Sequence, residues 1–475
     1  MDNLSMLTDL YEFSMANGYR QTITDEQGVF DIFFRKVPDQ GSFVITAGLQ
    51  QIIDALPFSF SPDDITYFRS LHLWDEDFLN FLATFKFDCH IRAIPEGTPV
   101  FPRESLMTVE GPIAQAQLLE TLLLTILNHE SLIATKARRI TFAAGDRPIM
   151  EFGARRAQGP DSAIYGARAA VIGGAASTSN VLAGKLFSIP VAGTMAHSWV
   201  QLFDTELDAF RAYAREYPNQ CVLLVDTYNV LQSGIPNAIR IFNEELVPQG
   251  FRPAGIRIDS GDITYLSRKA REMLDAAGFE DCGICASNSL DEYIIRDMLM
   301  QGAQVDSFGV GERMITSASE PVFGGVYKLV AVERKDGSIE PKIKISENVA
   351  KITTPGFKRL WRLFDRYSGK AIADVITLHD ELIDDEMPYV IFDPEYIWKR
   401  KRVENFRAVP LMTQIFKAGQ CIMQPRDLHE IREYCTAQVD TLWEEVTRFE
   451  NPHRYYVDLS QQLWQIKDRL ITNHN

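Results

Sequence analysis

Several short segments of the chain concentrate the side chains able to do polar chemistry. GTMAHS sets His197 among small residues that leave its imidazole accessible. LLVDTY offers Asp226, and a carboxylate beside a histidine can fix its tautomer and let it act as base or nucleophile. IRIDSGDI gathers Arg257, Asp259, Ser260, Gly261 and Asp262 in one stretch. Two carboxylates around a Ser–Gly turn can hold ribose hydroxyls or a Mg²⁺ ion. They can equally cap the following helix, and the two uses are compatible. EFGARR adds Arg155 at another apolar run's end. In SFGVGERM the backbone N–H groups of Gly309, Val310 and Gly311 can cradle a phosphate. This is not the dinucleotide fingerprint, since Met314 stands where its third glycine would be.

Other chemistries are excluded by the residues present. Cys282 and Cys285 form a C-x-x-C, but no second pair accompanies it and Cys89, Cys221, Cys421 and Cys435 are scattered. The pair lies in an apolar, strand-like run, where alternate side chains point to opposite faces, so it reads as core. The chain contains no H-E-x-x-H, Walker A or G-x-S-x-G motif, so any ATP it uses binds without a P-loop. An ammonia- or glutamine-handling ligase would need a reactive cysteine or amidase motif, and none is found.

The elements that must carry these groups follow from periodicity. Between about 140 and 330, the apolar runs PIMEFG, PVAGTMAHS, CVLLVDTY, GIRIDS, CGICAS and SFGVG alternate with helical stretches such as DTELDAFRAYAREY and DITYLSRKAREMLDAAG. Strand–helix alternation predicts parallel β/α units, and several in series suggest a barrel with its chemistry at the C-terminal strand ends. His197 is expected just after such a strand. Before this region come a helix within 1–20 started by Thr8 or Asp9, a strand VFDIFFRKVP carrying Arg35 and Lys36, short strands over 91–112, and a long helix over 114–134. The division expected is an N-terminal domain over 1–134, a β/α barrel over 135–330, and a mixed C-terminal extension over 331–475 packing back on the others.

The whole chain bounds the partners. Its 475 residues exceed one ordinary core, and 46% hydrophobic with 24% charged residues is a globular balance. A net charge of −16 argues against nonspecific nucleic-acid binding, yet a local cluster of Arg and Lys can still hold a small anion. No signal peptide is visible, and AQLLETLLLTILNHESLIA carries Glu120, Asn128, His129 and Glu130, reading as a buried helix where a membrane span needs roughly 20 apolar residues in a row. Six scattered cysteines fit a cytosolic protein. A cytoplasmic enzyme without membrane or nucleic-acid partners is expected.

Taken in order, LTDLYEFSMANGY, EFGARRAQG, STSNVLAG, GTMAHS, LLVDTY, IRIDSGD, ASNSLDE and FGVGE resemble the nicotinate phosphoribosyltransferase family over roughly residues 5–365. The resemblance implies an irregular β/α barrel with an N-terminal α/β sandwich domain, and a homodimer whose active sites draw on both subunits. It implies a reaction: nicotinate and phosphoribosyl pyrophosphate, with ATP as co-substrate and Mg²⁺, give nicotinate mononucleotide and pyrophosphate in NAD salvage. Tyr11 resembles the aromatic stacking on the pyridine from the neighbouring subunit, with Phe152 on the opposite face. Arg155 resembles the cation beside nicotinate and ribose, and Asp259 and Arg257 the ribose and nucleotide contacts. Asn288, Gly309 and Gly311 resemble the 5′-phosphate cradle. Arg35, with Lys344 and Ser346 of KIKIS, matches pyrophosphate-binding groups. His197 matches the histidine phosphorylated by ATP, and Asp226 the carboxylate that orients it. Mg²⁺ is expected near Asp259 and Asp262.

Two relatives are separated by one position. The nicotinamide-using family has an Asp where STSNVLAG offers Asn180, and a carboxylate there would repel nicotinate. Asn180 therefore points to the acid. Quinolinate phosphoribosyltransferases are much shorter and use no ATP. A non-catalytic nucleotide-binding relative would have no need of Tyr11, Arg155, His197, Asp226 and Asp259 together.

Overall fold

The structure, a computed structural model, describes residues 3–23 and 26–473. Its fold is mixed α/β, and the chain divides into two compact units, Met1–Leu132 with Val322–Asn475, and Ile133–Pro321.

The unit Ile133–Pro321 is built on six parallel strands in the order Ser177–Thr178, Ile149–Glu151, Ser307–Val310, Gly283–Ser287, Gly255–Ile258 and Val222–Leu224. The strands are short and apolar because both faces of a parallel sheet are covered. Ile256, Ile258, Ile284, Ala286, Phe308 and Val310 are fully buried. The helices start where a side chain accepts an otherwise orphaned N–H: Thr205 from Asp208 at 3.1 Å, Asp262 from Tyr265 at 3.0 Å, and Asp291 from Tyr293 and Ile294 at 3.1 and 2.9 Å. Among the described residues the two edge strands are not paired with each other, so no closed hydrogen-bonded barrel is formed.

Two expectations are corrected here. PVAGTMAHS is not a strand: it makes a single parallel bridge, Thr178 to Val191, and His197 opens the helix His197–Leu202. Pro190 and the run of small residues offer too little side chain to hold a ladder. The long helix spans Glu120–Ala144, ten residues beyond the expected end at 134. Its polar second half is stabilised from a distance in sequence, since Lys136 Nζ meets Glu292 Oε1 at 2.8 Å and Arg139 Nε meets the same oxygen at 3.0 Å.

The other unit contains a seven-stranded antiparallel sheet in which Gln27–Phe33 pairs with Val326–Glu333 on one side and Met107–Pro112 on the other. Buried Asp31 on this central strand accepts from Ser105 Oγ and Thr108 Oγ1, both at 2.7 Å, and pairs with Lys358 Nζ at 2.8 Å. A four-stranded sheet, Phe406–Pro410, Lys358–Asp365, Ala371–Leu378 and Val457–Leu459, carries a second buried pair. There Arg362 grips Asp374 through Nε at 2.8 Å and Nη2 at 2.7 Å, and Tyr455 donates to the same carboxylate at 2.9 Å. Removing one partner leaves the other buried and uncompensated. Arg362→Met should therefore lower the unfolding free energy by about 3–5 kcal/mol in urea denaturation; a loss below about 1 kcal/mol would show that Asp374 is not left uncompensated by removal of the guanidinium.

Candidate functional site

The C-terminal ends of the parallel strands collect the groups singled out in the sequence. Phe152 follows Ile149–Glu151, Asn180 follows Ser177–Thr178, Asp226 follows Val222–Leu224, Asp259 follows Gly255–Ile258, Asn288 follows Gly283–Ser287, and Gly311 follows Ser307–Val310. Strand ends at one edge of a parallel sheet place their next residues side by side, whatever their separation in sequence.

At the centre is a hydrogen-bonded set joining three strand ends. Asp226 Oδ2 accepts the backbone N–H of Asp259 at 3.0 Å and the Ser260 hydroxyl at 2.6 Å. Asp226 Oδ1 is buried and has no hydrogen-bond partner among the described residues. Arg257 donates to Ser287 Oγ at 2.8 Å, Thr194 Oγ1 at 3.1 Å and Asp259 Oδ1 at 2.9 Å, while the Ser287 hydroxyl donates to the same oxygen of Asp259. Asp259 Oδ2 is thereby left facing outward from the set. His197 sits over both bare oxygens, its Nε2 at 4.0 Å from Asp226 Oδ1 and 3.9 Å from Asp259 Oδ2. Its Nδ1 is 3.1 Å from Thr227 Oγ1. The hydrogen bond at Nδ1 is made with Thr227, not with Asp226, whose bare oxygen faces Nε2 instead.

Phe152 is held by two contacts. The Arg257 guanidinium lies 5.5 Å from its ring centroid, and Gly309 lies beneath it. A Cβ at Gly309 would come within 2.5 Å of the ring, so the glycine makes room for an aromatic platform. Gly311 precedes the short helix Glu312–Ile315, and Asn288 is exposed with φ 88°, a left-handed conformation that Asn tolerates. Arg155 is exposed in the turn Ala154–Arg156. Asn180 caps the helix Val181–Phe187, accepting from Ala183 at 3.2 Å, and its Nδ2 donates to Ala163 O at 3.2 Å. Asp262 is exposed and its Oδ1 is engaged in capping. Among the described residues no three His, Cys, Asp or Glu side chains gather as a metal site. Cys282 and Cys285 are buried core thiols, both raised above their ordinary pKa by burial.

Four candidates belong to the other unit. Tyr11 is 46% exposed on the helix Leu10–Thr22, and burial of its hydroxyl end with Glu120 and Glu12 nearby raises its pKa. Arg35 lines a cavity of about 640 Å³ with Lys36, Arg103, His453 and Arg454. Its Nε is buried without a hydrogen-bond partner among the described residues, and burial lowers its pKa. Lys344 is exposed and Ser346 half-buried in the segment after Ile339–Pro341, and neither lines that cavity.

Sequence reasoning missed Thr194, Thr227, Ser287 and Glu151. Hydroxyls at strand ends carry no spacing signal of their own, although Ser260 sits inside a segment already singled out. Glu151 looked like one polar interruption in an apolar run.

Family models cover nearly the whole chain. The nicotinate phosphoribosyltransferase N-terminal domain matches residues 6–128, the nicotinate phosphoribosyltransferase family 148–367, and the C-terminal domain 357–467. The nicotinate phosphoribosyltransferase of Bacillus subtilis (strain 168) is 44% identical over 472 residues, spanning 99% of this chain and 96% of its own. The chain belongs to the nicotinate phosphoribosyltransferase family. The human nicotinate phosphoribosyltransferase is 32% identical, with 99% and 97% covered. The crystal structure of human nicotinic acid phosphoribosyltransferase aligns with a TM-score of 0.85 at 30% identity over 98% of this chain and all of that one. A nicotinate-nucleotide pyrophosphorylase from Pyrococcus furiosus, at 23% identity and a TM-score of 0.71 over 92% of this chain and 95% of its own, shares the fold.

For a nicotinate phosphoribosyltransferase site built this way, Gly309→Ala is a direct probe of the platform. The added methyl must displace the Phe152 ring, and turnover should fall about 10²-fold, the scale of an ångström-sized misplacement, while the melting temperature moves by only a few degrees. Unchanged kinetics would remove Phe152 from the site.

Proposed function

We propose that the chain transfers the phosphoribosyl group of phosphoribosyl pyrophosphate to nicotinate, giving nicotinate mononucleotide and pyrophosphate, with ATP hydrolysed alongside. The observation that carries this reading is the grouping of His197, Asp226, Asp259 and Arg257 beside Phe152, all at the ends of parallel strands. The six strands and their helices fit an irregular, incompletely closed β/α barrel. We keep 1–134, 135–330 and 331–475 as its three functional parts.

Departure of pyrophosphate from the sugar C1 leaves an oxocarbenium-like centre before the pyridine nitrogen is fully bonded, so no protein nucleophile is required. Asp259 is suited to binding ribose hydroxyls and stabilising that positive charge, with Arg257 fixing its orientation. Phe152 supplies one face for the pyridine and Tyr11 of a second copy the other. Arg155 balances the nicotinate carboxylate; the N–H groups around Asn288, Gly309 and Gly311 take the 5′-phosphate; Arg35, Lys344 and Ser346 take the pyrophosphate. Asp259 Oδ2 fits a Mg²⁺ ion that draws its other ligands from substrate and water, with Asp262 nearby in sequence, because Mg²⁺ commonly needs only one or two carboxylates. When bound, that ion neutralises pyrophosphate charge. His197, tethered at Nδ1 by Thr227, is the group phosphorylated by ATP, and the added anionic charge beside Asp226 and Asp259 changes substrate and product affinities without entering the transfer step.

A site shared in a homodimer is supported by apolar surface in each unit. Leu10, Tyr11 and Met15 are exposed on one helix, and Val181, Leu182 and Leu186 on another next to Asn180. No helix among the described residues is long and apolar enough to cross a membrane, and the six free cysteines suit a reducing cytoplasm.

The reading is tested by a product assay with nicotinate and nicotinamide, each with and without ATP, on wild type and Asn180→Asp. Wild type should prefer nicotinate and gain from ATP. Asp keeps the helix cap but loses the Nδ2 donor and adds a like charge, so kcat/KM for nicotinate should fall roughly 10²-fold or more. Preference of wild type for nicotinamide would overturn the function. An unchanged preference in the variant would leave Asn180 as a cap alone, with Ser179 and Thr178 the next selectors.

A further inference from the structure

The transfer chemistry makes no use of Glu151, yet this carboxylate is wholly buried at the end of its strand. Oε1 accepts the backbone N–H of Gly153, and Oε2 accepts the Thr178 hydroxyl at 2.6 Å. Thr178 Oγ1 in turn accepts the backbone N–H of Asn180 at 3.0 Å. The backbone completes the tie, with Ser179 N–H donating to Glu151 O at 2.9 Å, Thr178 N–H to Pro190 O at 3.0 Å, and Ala192 N–H to Thr178 O at 2.9 Å. One side chain therefore joins the turn that presents Phe152 and Arg155 to the turn that presents Asn180, and through Thr178 to the segment leading to His197.

Burying a carboxylate without a cation is costly, and burial raises its pKa accordingly. Among the described residues no ion pair offsets this, since both of its hydrogen-bond partners are neutral donors. The backbone has closed tightly around it. A Cβ at Gly153 would lie 2.9 Å from Glu151 Oε1 and 2.5 Å from Ile315 Cβ, so the turn leaves no room for a side chain between the carboxylate and Ile315. Both acceptor oxygens are used, and the Thr178 hydroxyl donates to one group while accepting from another, which fixes its single proton. Such a chain tolerates little change in spacing.

We propose that Glu151 and Thr178 form a positioning clamp that sets the distance between the Phe152 platform and Asn180, and thereby the selectivity of the site for the pyridine. The substrate named here rests on the function proposed above; the clamp itself rests on the hydrogen bonds alone. Neither residue touches the reacting atoms. Both act through the two turns they hold.

The test compares wild type, Thr178→Val, Thr178→Ser and Glu151→Gln. Steady-state kinetics are measured with nicotinate, nicotinamide and phosphoribosyl pyrophosphate, and hydrogen exchange is followed by mass spectrometry over 151–156 and 177–182. Thr178→Val keeps the shape but removes the hydroxyl. It should raise KM for nicotinate roughly tenfold more than KM for phosphoribosyl pyrophosphate, and narrow the discrimination between the two pyridines. Exchange should quicken in both segments together. Thr178→Ser restores the hydroxyl and should recover both readouts, and Glu151→Gln should resemble the valine variant. The clamp is overturned if Thr178→Val leaves discrimination unchanged, if both KM values rise alike, or if only 177–182 exchanges faster. A wild type that transfers to neither pyridine would instead defeat the functional reading, and coupled exchange of the two segments would still decide the clamp.

Discussion

At the end of Val222–Leu224, one oxygen of Asp226 is committed to the backbone N–H of Asp259 and the hydroxyl of Ser260, and the other is left bare. The first half of that arrangement locks two neighbouring strand ends in register and points Asp259 toward Arg257 and Ser287. The second half leaves a buried acceptor unsatisfied, which costs about 1–3 kcal/mol in an ordinary core. The imidazole Nε2 of His197 lies 4.0 Å from it. The placement of the imidazole, the orientation of Asp259 and the position of the guanidinium all trace back to this one carboxylate.

The rest of that unit serves to hold the arrangement still. Short apolar strands, buried on both faces, fix where each chain segment emerges, and the helix caps decide where it turns. Rigid elements hold a constellation more precisely than free loops do. The same packing explains why Gly309 and Gly153 are glycines: each backbone has been brought close to a side chain, Phe152 in one case and Glu151 in the other. The unit formed by Met1–Leu132 and Val322–Asn475 solves a different problem, keeping Arg35 partly desolvated and short of a partner at one atom in a cavity rich in Arg and Lys, within a chain of net charge −16.

Much of this was legible in the sequence because apolar runs ending in small polar residues encode both strand and site. Asp226 and Asp259 stand where that pattern placed them. His197 was read correctly as accessible but given the wrong element, since PVAGTMAHS has the composition of a strand and only one bridge of its ladder. Its hydrogen bond to Thr227 was invisible because a threonine after an aspartate has no distinguishing spacing. The helix through Ala144 ran past its expected end because Lys136 and Arg139 break the apolar pattern, and the carboxylate that stabilises them, Glu292, lies far along the chain. Long-range polar pairing of this kind leaves no local trace. The family resemblance supplied roles that periodicity could not, while the double duty of Asn180 and Asp262 as helix caps emerged only from geometry.

His197 faces two carboxylate oxygens with its other nitrogen tethered to Thr227. Its proposed phosphorylation is read by mass spectrometry, under non-acidic conditions that preserve phosphohistidine, of the protein after incubation with Mg-ATP. Phosphate is expected on the peptide containing His197 and none in His197→Ala, with continued but ATP-independent transfer by that variant. Phosphate on another residue, or transfer in wild type coupled to ATP without any label on His197, would contradict this assignment.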